Sequence, residues 1–338
     1  MREKLDKEIK ILSFKVEKVL IAKDGQSVKA LLKLENGQKI ETVLISPKPG
    51  IWSVCISCQV GCPMNCRFCA TGKMGFVRNL TAEEITDQVL FWRQYIKKAN
   101  KLIKLQAISS VVFMGMGEPF LNWENVRESL KILTDKSLFS FGSRSISVST
   151  SGIPGGIEKL ASEFPQVNLA ISLHFADDKK RSEFMPVNRK YNLEELRNSL
   201  RNYFLKTNRK VFIEYILLEG INDSREDADK LAKYLKSIGK PHLLHVNLIR
   251  YNPSPVFAIR QLAEKQSQAL SHETRDCHGR PDVTSGLPRN DDSLKPSSKT
   301  QTQKFKDYLL QNHINATIRK SLGEEIQGAC GQLSGNSV

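Results

Sequence analysis

The sequence predicts an α/β protein assembled from parallel βα units, and three observations lead there. Six short apolar runs recur along the chain: Val54–Ser57, Val111–Met114, Ile146–Ser149, Leu169–Ser172, Val211–Leu217 and Leu244–Ile249. Stretches with helical periodicity lie between them, at about 81–99, 122–136, 154–164, 192–206 and 224–238. The chain has 338 residues and is 40% hydrophobic, which suffices for one large or two average domains around a sizeable core. Strand and helix alternating in this way build a parallel sheet, either open and doubly wound or closed into a full or partial barrel. In each case function sits at the carboxyl ends of the strands.

Residues 9–46 precede the first run and alternate apolar with polar, as in Phe14-Lys15-Val16-Glu17-Lys18-Val19-Leu20. Asp24-Gly25 and Asn36-Gly37 are hairpin signals, so residues 1–50 read as a small antiparallel β segment. The βα core spans 51–257. Within it Thr81 and Glu84 form a capping box ahead of Ile85, Val89 and Leu90. Asn192 with Glu195, and Asp223 or Ser224, open later helices. Residues 258–300 hold no aromatic residue and many Ser, Asp, Arg and Pro, the composition of a disordered insertion. The segment 301–338 resumes with a helix at Lys304–Asn312, a last strand at Asn315–Arg319 and a Gly-rich tail holding Cys330.

Lys and Arg number 51 against 36 Asp and Glu, a net charge of +15, which favours nucleic acid or an anionic membrane surface as partner. No run of 18 apolar residues is present, so a spanning helix is excluded. Met1-Arg2-Glu3-Lys4 does not open a signal peptide, and the chain reads as soluble and cytoplasmic. Seven cysteines, five of them between Cys55 and Cys69, do not form the even, spread-out set of a disulfide scaffold.

Cys62, Cys66 and Cys69 make a C-x3-C-x2-C triplet just after the first strand of the core. Three thiolates this close can share one metal centre, and three ligands leave a coordination position open for a substrate. The competing reading is a zinc knuckle that takes Cys58 or Cys55 as its fourth ligand, in an RNA-binding module without catalysis.

The triplet in this context resembles the radical S-adenosylmethionine (SAM) enzymes. The closer resemblance is to the adenine-C2 RNA methyltransferases called RlmN, within the RlmN/Cfr family. It rests on Cys55-Ile56-Ser57-Cys58-Gln59-Val60-Gly61-Cys62, Phe68-Cys69-Ala70-Thr71-Gly72, Gly75-Phe76-x-Arg78-Asn79-Leu80, Met114-Gly115-Met116-Gly117-Glu118-Pro119, Ser149-Thr150-Ser151-Gly152, Ile171-Ser172-Leu173-His174, Tyr251-Asn252-Pro253 and Gly328-Ala329-Cys330-Gly331-Gln332-Leu333. The matches cover about 10–257 and 303–335.

The resemblance implies a partial (β/α)6 TIM-like barrel of radical SAM type. It implies a [4Fe-4S] cluster on Cys62, Cys66 and Cys69, and SAM, two molecules per turnover, contacted by Gly117, Glu118, Ser149, Ser172, Leu173, His174 and Asn252. It implies that Cys330 carries the methyl group as S-methylcysteine. Cys55 then helps remove the ring proton and forms a transient disulfide with Cys330. Glu41 matches a proton acceptor, the alternative being a solvated strand carboxylate. The implied substrate is C2 of an adenine in the peptidyl transferase centre of 23S rRNA, with tRNA as a second substrate. An external electron donor and a disulfide reductant are the other partners, and the protein acts as a monomer. Relatives that methylate C8 of the same adenine tend to have Ala after the Glu, where this chain has Pro119.

For His174 the other reading is a buried histidine bonded to backbone. Cys58 stands where serine is usual and makes a C-x-x-C pair with Cys55, so an unproductive disulfide is a liability. Cys277 reads as incidental. Lys73, Arg78, Arg144, Lys179, Lys180, Arg181, Arg189, Lys190, Arg250, Arg319 and Lys320 are the candidates for phosphate contacts around a flipped base. Family members carry a further N-terminal helical domain, and this chain is expected to lack most of it.

Overall fold

The computed structural model describes residues 11–48, 50–99, 107–253 and 294–335. Three antiparallel strands come first: β1 (Phe14–Ile21), β2 (Ser27–Leu34) and β3 (Lys39–Lys48). They turn at Gly25 and Gly37, both with positive φ, as the Asp-Gly and Asn-Gly pairs require. β1 is the edge of the sheet and shows Lys15, Glu17 and Lys18 to solvent, charges that discourage edge-to-edge pairing.

β3 then pairs with β4 (Ile51–Cys55), placing Val43 opposite Cys55 and Leu44 opposite Val54. The N-terminal strands therefore extend the same sheet that carries the core. β5 (Gln59–Gly61) and β6 (Phe76–Asn79) form a separate hairpin around the short helix α1 (Ala70–Lys73). The parallel units follow as α2 (Ala82–Ala99), β7 (Ile108–Phe113), α3 (Trp123–Thr134), β8 (Ile146–Thr150), α4 (Pro154–Glu163), β9 (Asn168–Ser172), α5 (Asp178–Phe184), α6 (Leu193–Thr207), β10 (Val211–Leu217), α7 (Arg225–Ile238), β11 (Leu244–Arg250), α8 (Lys299–Gln311) and β12 (Asn315–Ile318).

The large sheet runs β1-β2-β3-β4-β7-β8-β9-β10-β11-β12, and every pair from β4 onward is parallel. Each parallel strand lies beside its predecessor in the chain, so the sheet winds in one direction only. That order decides between the two architectures left open by the periodicity. A doubly wound sheet reverses at a switch point, whereas this one has the winding of a partial barrel, open between β12 and β1. The last strand adds a seventh parallel member beside β11, with Val246 opposite Ala316.

Local signals fix the helix starts. The Thr81 Oγ1 accepts from the Glu84 N–H at 3.2 Å, and Glu84 accepts from the Thr81 N–H at 3.0 Å. Asn192 with Glu195 and Ser224 with Asp227 make two more capping boxes. α5 has no counterpart in the periodicity, because seven residues are too few to show one.

Residues 258–293 of the expected insertion, Cys277 among them, lie outside the described residues. From 294 the chain is packed, earlier than the expected end of the insertion at 300. Pro296 bridges to Leu218, the Ser297 Oγ donates to Asp223 at 2.6 Å, and Ser298 caps α8 at Gln301, so the helix begins five residues before the Lys304 read from periodicity. No helix among the described residues is long and apolar enough to cross a membrane.

Candidate active site

The carboxyl ends of the parallel strands carry the expected site residues. The β5–β6 hairpin frames the cysteine loop, with the Cys62 N–H donating to the Gly75 carbonyl at 2.8 Å. Gly61 has φ +72°, and a Cβ there would meet the Gly75 oxygen at 1.9 Å, so only glycine fits. Cys62 and Cys66 are buried and Cys69 is half-buried. Burial pushes the Cys62 and Cys66 thiols up, and the neighbouring Cys69 thiol pushes both further. The three thiols thus converge in a site that favours the neutral thiol until a bound metal replaces the proton.

Among the described residues no three His, Cys, Asp or Glu side chains group closely enough to hold a single ion. Three neighbouring thiols, two buried and one half-buried, are the donor set that an iron–sulfur cluster takes, so the residues present fit that group. The Cys58 thiol is buried against Glu118 and Cys62, whereas Cys55 has Cys330 and Arg319 as its charged neighbours. The C-x-x-C pair therefore faces two different environments.

After β7, the Gly-Met-Gly-Glu loop is fastened from below. The Ser57 Oγ accepts from the Met116 N–H at 2.8 Å and donates to the Glu41 carbonyl at 2.6 Å. A Cβ on Gly115 would lie 2.6 Å from the Ile56 oxygen, and one on Gly117, at φ +106°, 2.6 Å from the Gln59 Cβ. These glycines let two segments of protein touch. The buried Glu118 carboxylate accepts from the Ser151 N–H at 2.7 Å and the Phe120 N–H at 3.2 Å. Burial raises its pKa against these bonds.

Ser149 and Ser172, on adjacent strands, have their Oγ atoms 3.3 Å apart. The N–H groups of Leu173 and His174 both donate to the Glu214 carbonyl. His174 is in the left-handed region at φ +57°, and its Nδ1 accepts from the Ile216 N–H at 3.1 Å. Burial, followed by the Arg181 charge, drives its pKa down to about 3. The imidazole is neutral and, with Nδ1 accepting, carries its hydrogen on Nε2, so His174 is a buried histidine bonded to backbone.

The loop carrying Cys330 closes the site, and its anchors come from far away in the chain. Asn252 donates to the Cys330 carbonyl at 3.3 Å, and Gln332 donates to the Pro253 carbonyl at 2.8 Å. On one side, the Ala70 N–H donates to the Gly331 carbonyl at 2.8 Å, and the Thr71 hydroxyl to the Leu333 carbonyl at 2.6 Å. On the other side the Glu41 carboxylate accepts from the Ser334 N–H at 2.8 Å and from Lys29 at 2.9 Å, while Lys29 also reaches the Gln327 carbonyl at 3.2 Å. Glu41 has 0% exposure, so it is no solvated strand carboxylate. Lys29 and Glu41 are diagonal neighbours across β2 and β3, since Lys29 lies opposite Val43 and Leu31 opposite Glu41. The one sequence signal for this pair was Lys29 within the apolar stretch Val28–Leu32.

Cys330 is exposed at this loop and Cys55 stands beside it. Burial, then the Cys330 charge, pushes the Cys55 thiol up to about 12. Although Cys330 keeps exposed surface, the protein packed around its sulfur desolvates the thiol and raises its pKa, and Arg319 draws it down. Arg319 is paired with the buried Glu214 at 3.1 Å, and Glu214 also accepts from Asn247 at 2.8 Å. Arg319, a candidate phosphate contact in the sequence, is here a cation fixed by Glu214 near Cys55 and Cys330. Other candidates are likewise held internally: Arg78 by Glu84 and Gln38, Lys180 by Asp227 and Arg181 by three buried acceptors.

Comparison with known proteins agrees with this arrangement. The model of the Radical SAM superfamily matches residues 56–235. A ribosomal RNA large subunit methyltransferase Cfr from Clostridium botulinum is 40% identical over 309 residues, 91% of this chain and 77% of that protein. A probable dual-specificity RNA methyltransferase RlmN from Syntrophomonas wolfei is 39% identical over 336 residues, 98% of this chain and 83% of the relative. The crystal structure of a radical SAM methyltransferase from Sphaerobacter thermophilus superposes with a TM-score of 0.82 at 36% identity, covering 99% of this chain and 85% of the other. A strand order wound as a partial barrel, a cysteine triplet at its carboxyl end and matches of this extent together place the chain in the RlmN/Cfr family of radical SAM methyltransferases, whose cofactors are a [4Fe-4S] cluster and SAM.

Proposed function

We propose that this chain methylates C2 of an adenine in the peptidyl transferase centre of 23S rRNA, with tRNA as a second substrate. The observation that carries the reading is the docking of the Cys330 loop beside Cys55 and against the cysteine loop. The names of the relatives support the rRNA substrate. Adenine C2 is an electron-poor carbon bearing hydrogen, so polar attack on a sulfonium methyl does not reach it. The cluster and SAM supply the methyl group and the one-electron chemistry.

The chain's own residues do the rest. Cys62, Cys66 and Cys69 hold the cluster. Gly117, Glu118, Ser149, Ser172, Leu173, His174 and Asn252 line the SAM site. Cys330 takes the methyl group as its thiolate, and Arg319 favours that charge form. Cys55 is the resolving thiol that removes the ring proton and closes a disulfide with Cys330, which an external reductant reopens. Both Glu41 oxygens are engaged by Lys29 and Ser334, so we assign it to holding the loop and not to accepting a proton. The protein acts as a cytoplasmic monomer with an external electron donor.

Cfr-named and RlmN-named relatives match at 40% and 39% identity, which sustains C8 as the second reading. Mapping methyladenosine in rRNA and tRNA from a host with and without this gene separates the two. 2-Methyladenosine that vanishes with the gene supports the proposal, and 8-methyladenosine overturns it. A colourless protein holding one tight zinc, with no iron after anaerobic reconstitution, overturns the catalytic reading altogether.

A further inference from the structure

Arg181, on α5, has only 1% of its surface exposed. Its guanidinium donates to the Leu173 carbonyl at 3.2 Å, the Asn188 Oδ1 at 2.9 Å and the Ser151 carbonyl at 2.6 Å. All three acceptors are neutral, and among the described residues no carboxylate stands within ion-pair distance of it. The other two cations at the site differ: Lys29 has Glu41 and Arg319 has Glu214. Arginine stays charged under these conditions, and a buried charge without a counter-charge is costly. An apolar residue would fill the space without that cost, so the position calls for an anion missing from the chain itself.

The surroundings say where that anion belongs. α5 packs against the cysteine loop: the Arg67 N–H donates to the Phe184 carbonyl at 3.0 Å, and Cys66 and Phe68 share a buried cluster with Phe184 and Met185. Ser151, whose carbonyl holds Arg181, also touches Met64 of that loop through its hydroxyl, at 3.2 Å from the sulfur. Glu118, the buried carboxylate that shares Ser151 with Arg181, is taken up by the N–H groups of Ser151 and Phe120. Tyr234, Cys66 and Asp178 are the groups whose charge reaches Arg181, and the Asp178 side chain is turned to Asn188 and the Leu193 N–H.

We infer that Arg181 is the buried counter-charge of the iron–sulfur cluster and sets its reduction potential. The inference rests on the proposal that Cys62, Cys66 and Cys69 hold that cluster. One-electron reduction adds one negative charge to the cluster and leaves its bonds to the thiolates in place. A fixed cation lowers the energy of the reduced form more than that of the oxidised form. Arg181 is a positioning residue in this sense: it touches neither substrate nor the reacting atoms.

The test compares wild type, Arg181→Lys and Arg181→Gln as full chains, reconstituted anaerobically with iron and sulfide. Each is titrated with titanium(III) citrate while the reduced cluster is followed by electron paramagnetic resonance. Arg181→Gln is expected to hold at least tenfold less reduced cluster at a given potential, a shift of at least 59 mV to the negative for a one-electron couple. Arg181→Lys, which keeps the charge, is expected within threefold of wild type. Denaturant unfolding of the cluster-free forms is the second readout. A counter-charge waiting for its partner predicts that cluster-free Arg181→Gln is at least as stable as cluster-free wild type, although it retains less iron. Equal potentials for wild type and Arg181→Gln overturn the inference. So does a loss of stability in the cluster-free form that accounts for all the lost iron. A wild type that takes up no cluster refutes instead the assignment of the three cysteines.

Discussion

The loop Cys62–Cys69 takes most of its shape from its own sequence, with a backbone bond from Arg67 to Phe184, whereas the loop carrying Cys330 is held by residues 298 positions away at Lys29–Gln327 and 293 at Glu41–Ser334. In the first, Gly61, Asn65 and Gly75 have positive φ, Gly72 packs under Cys66, and the Cys62 N–H closes onto Gly75. In the second, small residues suggest mobility, yet the backbone is pinned by Glu41 and Lys29 from the N-terminal strands and by Ala70 and Thr71 from the cysteine loop. Under the proposed roles, the thiols assigned to the cluster sit on a hairpin of local shape, and the thiol assigned to pair with Cys55 from another strand needs the tertiary fold to bring it there. The two loops should therefore fail in different ways.

The largest effects separate the thiols by role. Cys330→Ala is expected to abolish methylation completely while the protein still binds its cluster, read as iron content and absorbance. Cys55→Ala is expected to stall after methyl transfer, and mass spectrometry should find an RNA adduct on Cys330. A clean Cys330 in that variant breaks the pairing of the two cysteines.

Next comes the clasp on the second loop. Glu41→Gln leaves Lys29 buried without its counter-charge, and breaking such a pair costs about 3–5 kcal/mol. Urea unfolding should show that loss, and limited proteolysis should begin to cut near 320–335. The double variant Lys29→Met with Glu41→Leu is expected to recover most of the stability, because replacing a buried pair by apolar groups is close to neutral. It should not recover the resistance of the loop, since the bonds to Gln327 and Ser334 stay lost. Full recovery of both would reduce the clasp to ordinary packing.

Arg319→Met tests the electrostatics between the loops. The cation favours the Cys330 thiolate, so its removal raises the thiol's pKa and moves the rising limb of Cys330 methylation to higher pH. Near neutral pH the rate should fall about tenfold for each unit of that rise, and recover as pH increases. A uniform loss at every pH would point to lost packing and not to charge.

What the sequence made legible divides along the same line. The six core strands and five of their helices lie within a few residues of the periodicity, because capping boxes at Thr81 and Asn192 and apolar runs at strand spacing are local signals. The cysteine triplet was legible for the same reason. The pairing of β3 with β4, the diagonal Lys29–Glu41 contact and the Glu214–Arg319 pair were not, because each joins elements that no local pattern links. The intramolecular partners of the basic candidates were not legible either: Arg78, Lys180 and Arg319 are half-buried and each bound to a carboxylate, and Arg181 is buried on neutral acceptors. Sequence position alone gives no sign of which end of an arginine the protein will use.

The smallest expected effect tests whether the first loop is as self-contained as its geometry suggests. Asn65 sits between Cys62 and Cys66 at φ +48°, a conformation that asparagine tolerates and a β-branched residue resists. Asn65→Val is expected to lose about 1–2 kcal/mol of stability in the cluster-free protein. Asn65→Gly should stay within about 0.5 kcal/mol of wild type, because relief of the left-handed strain offsets the greater freedom of the unfolded chain. Both variants should leave the Cys330 loop as resistant to proteolysis as before, since none of its anchors is local to residue 65. If Asn65→Val exposes the 320–335 region to cleavage, the loops are one cooperative unit joined through Ala70 and Thr71, and the division between a local loop and a long-range loop fails at that contact.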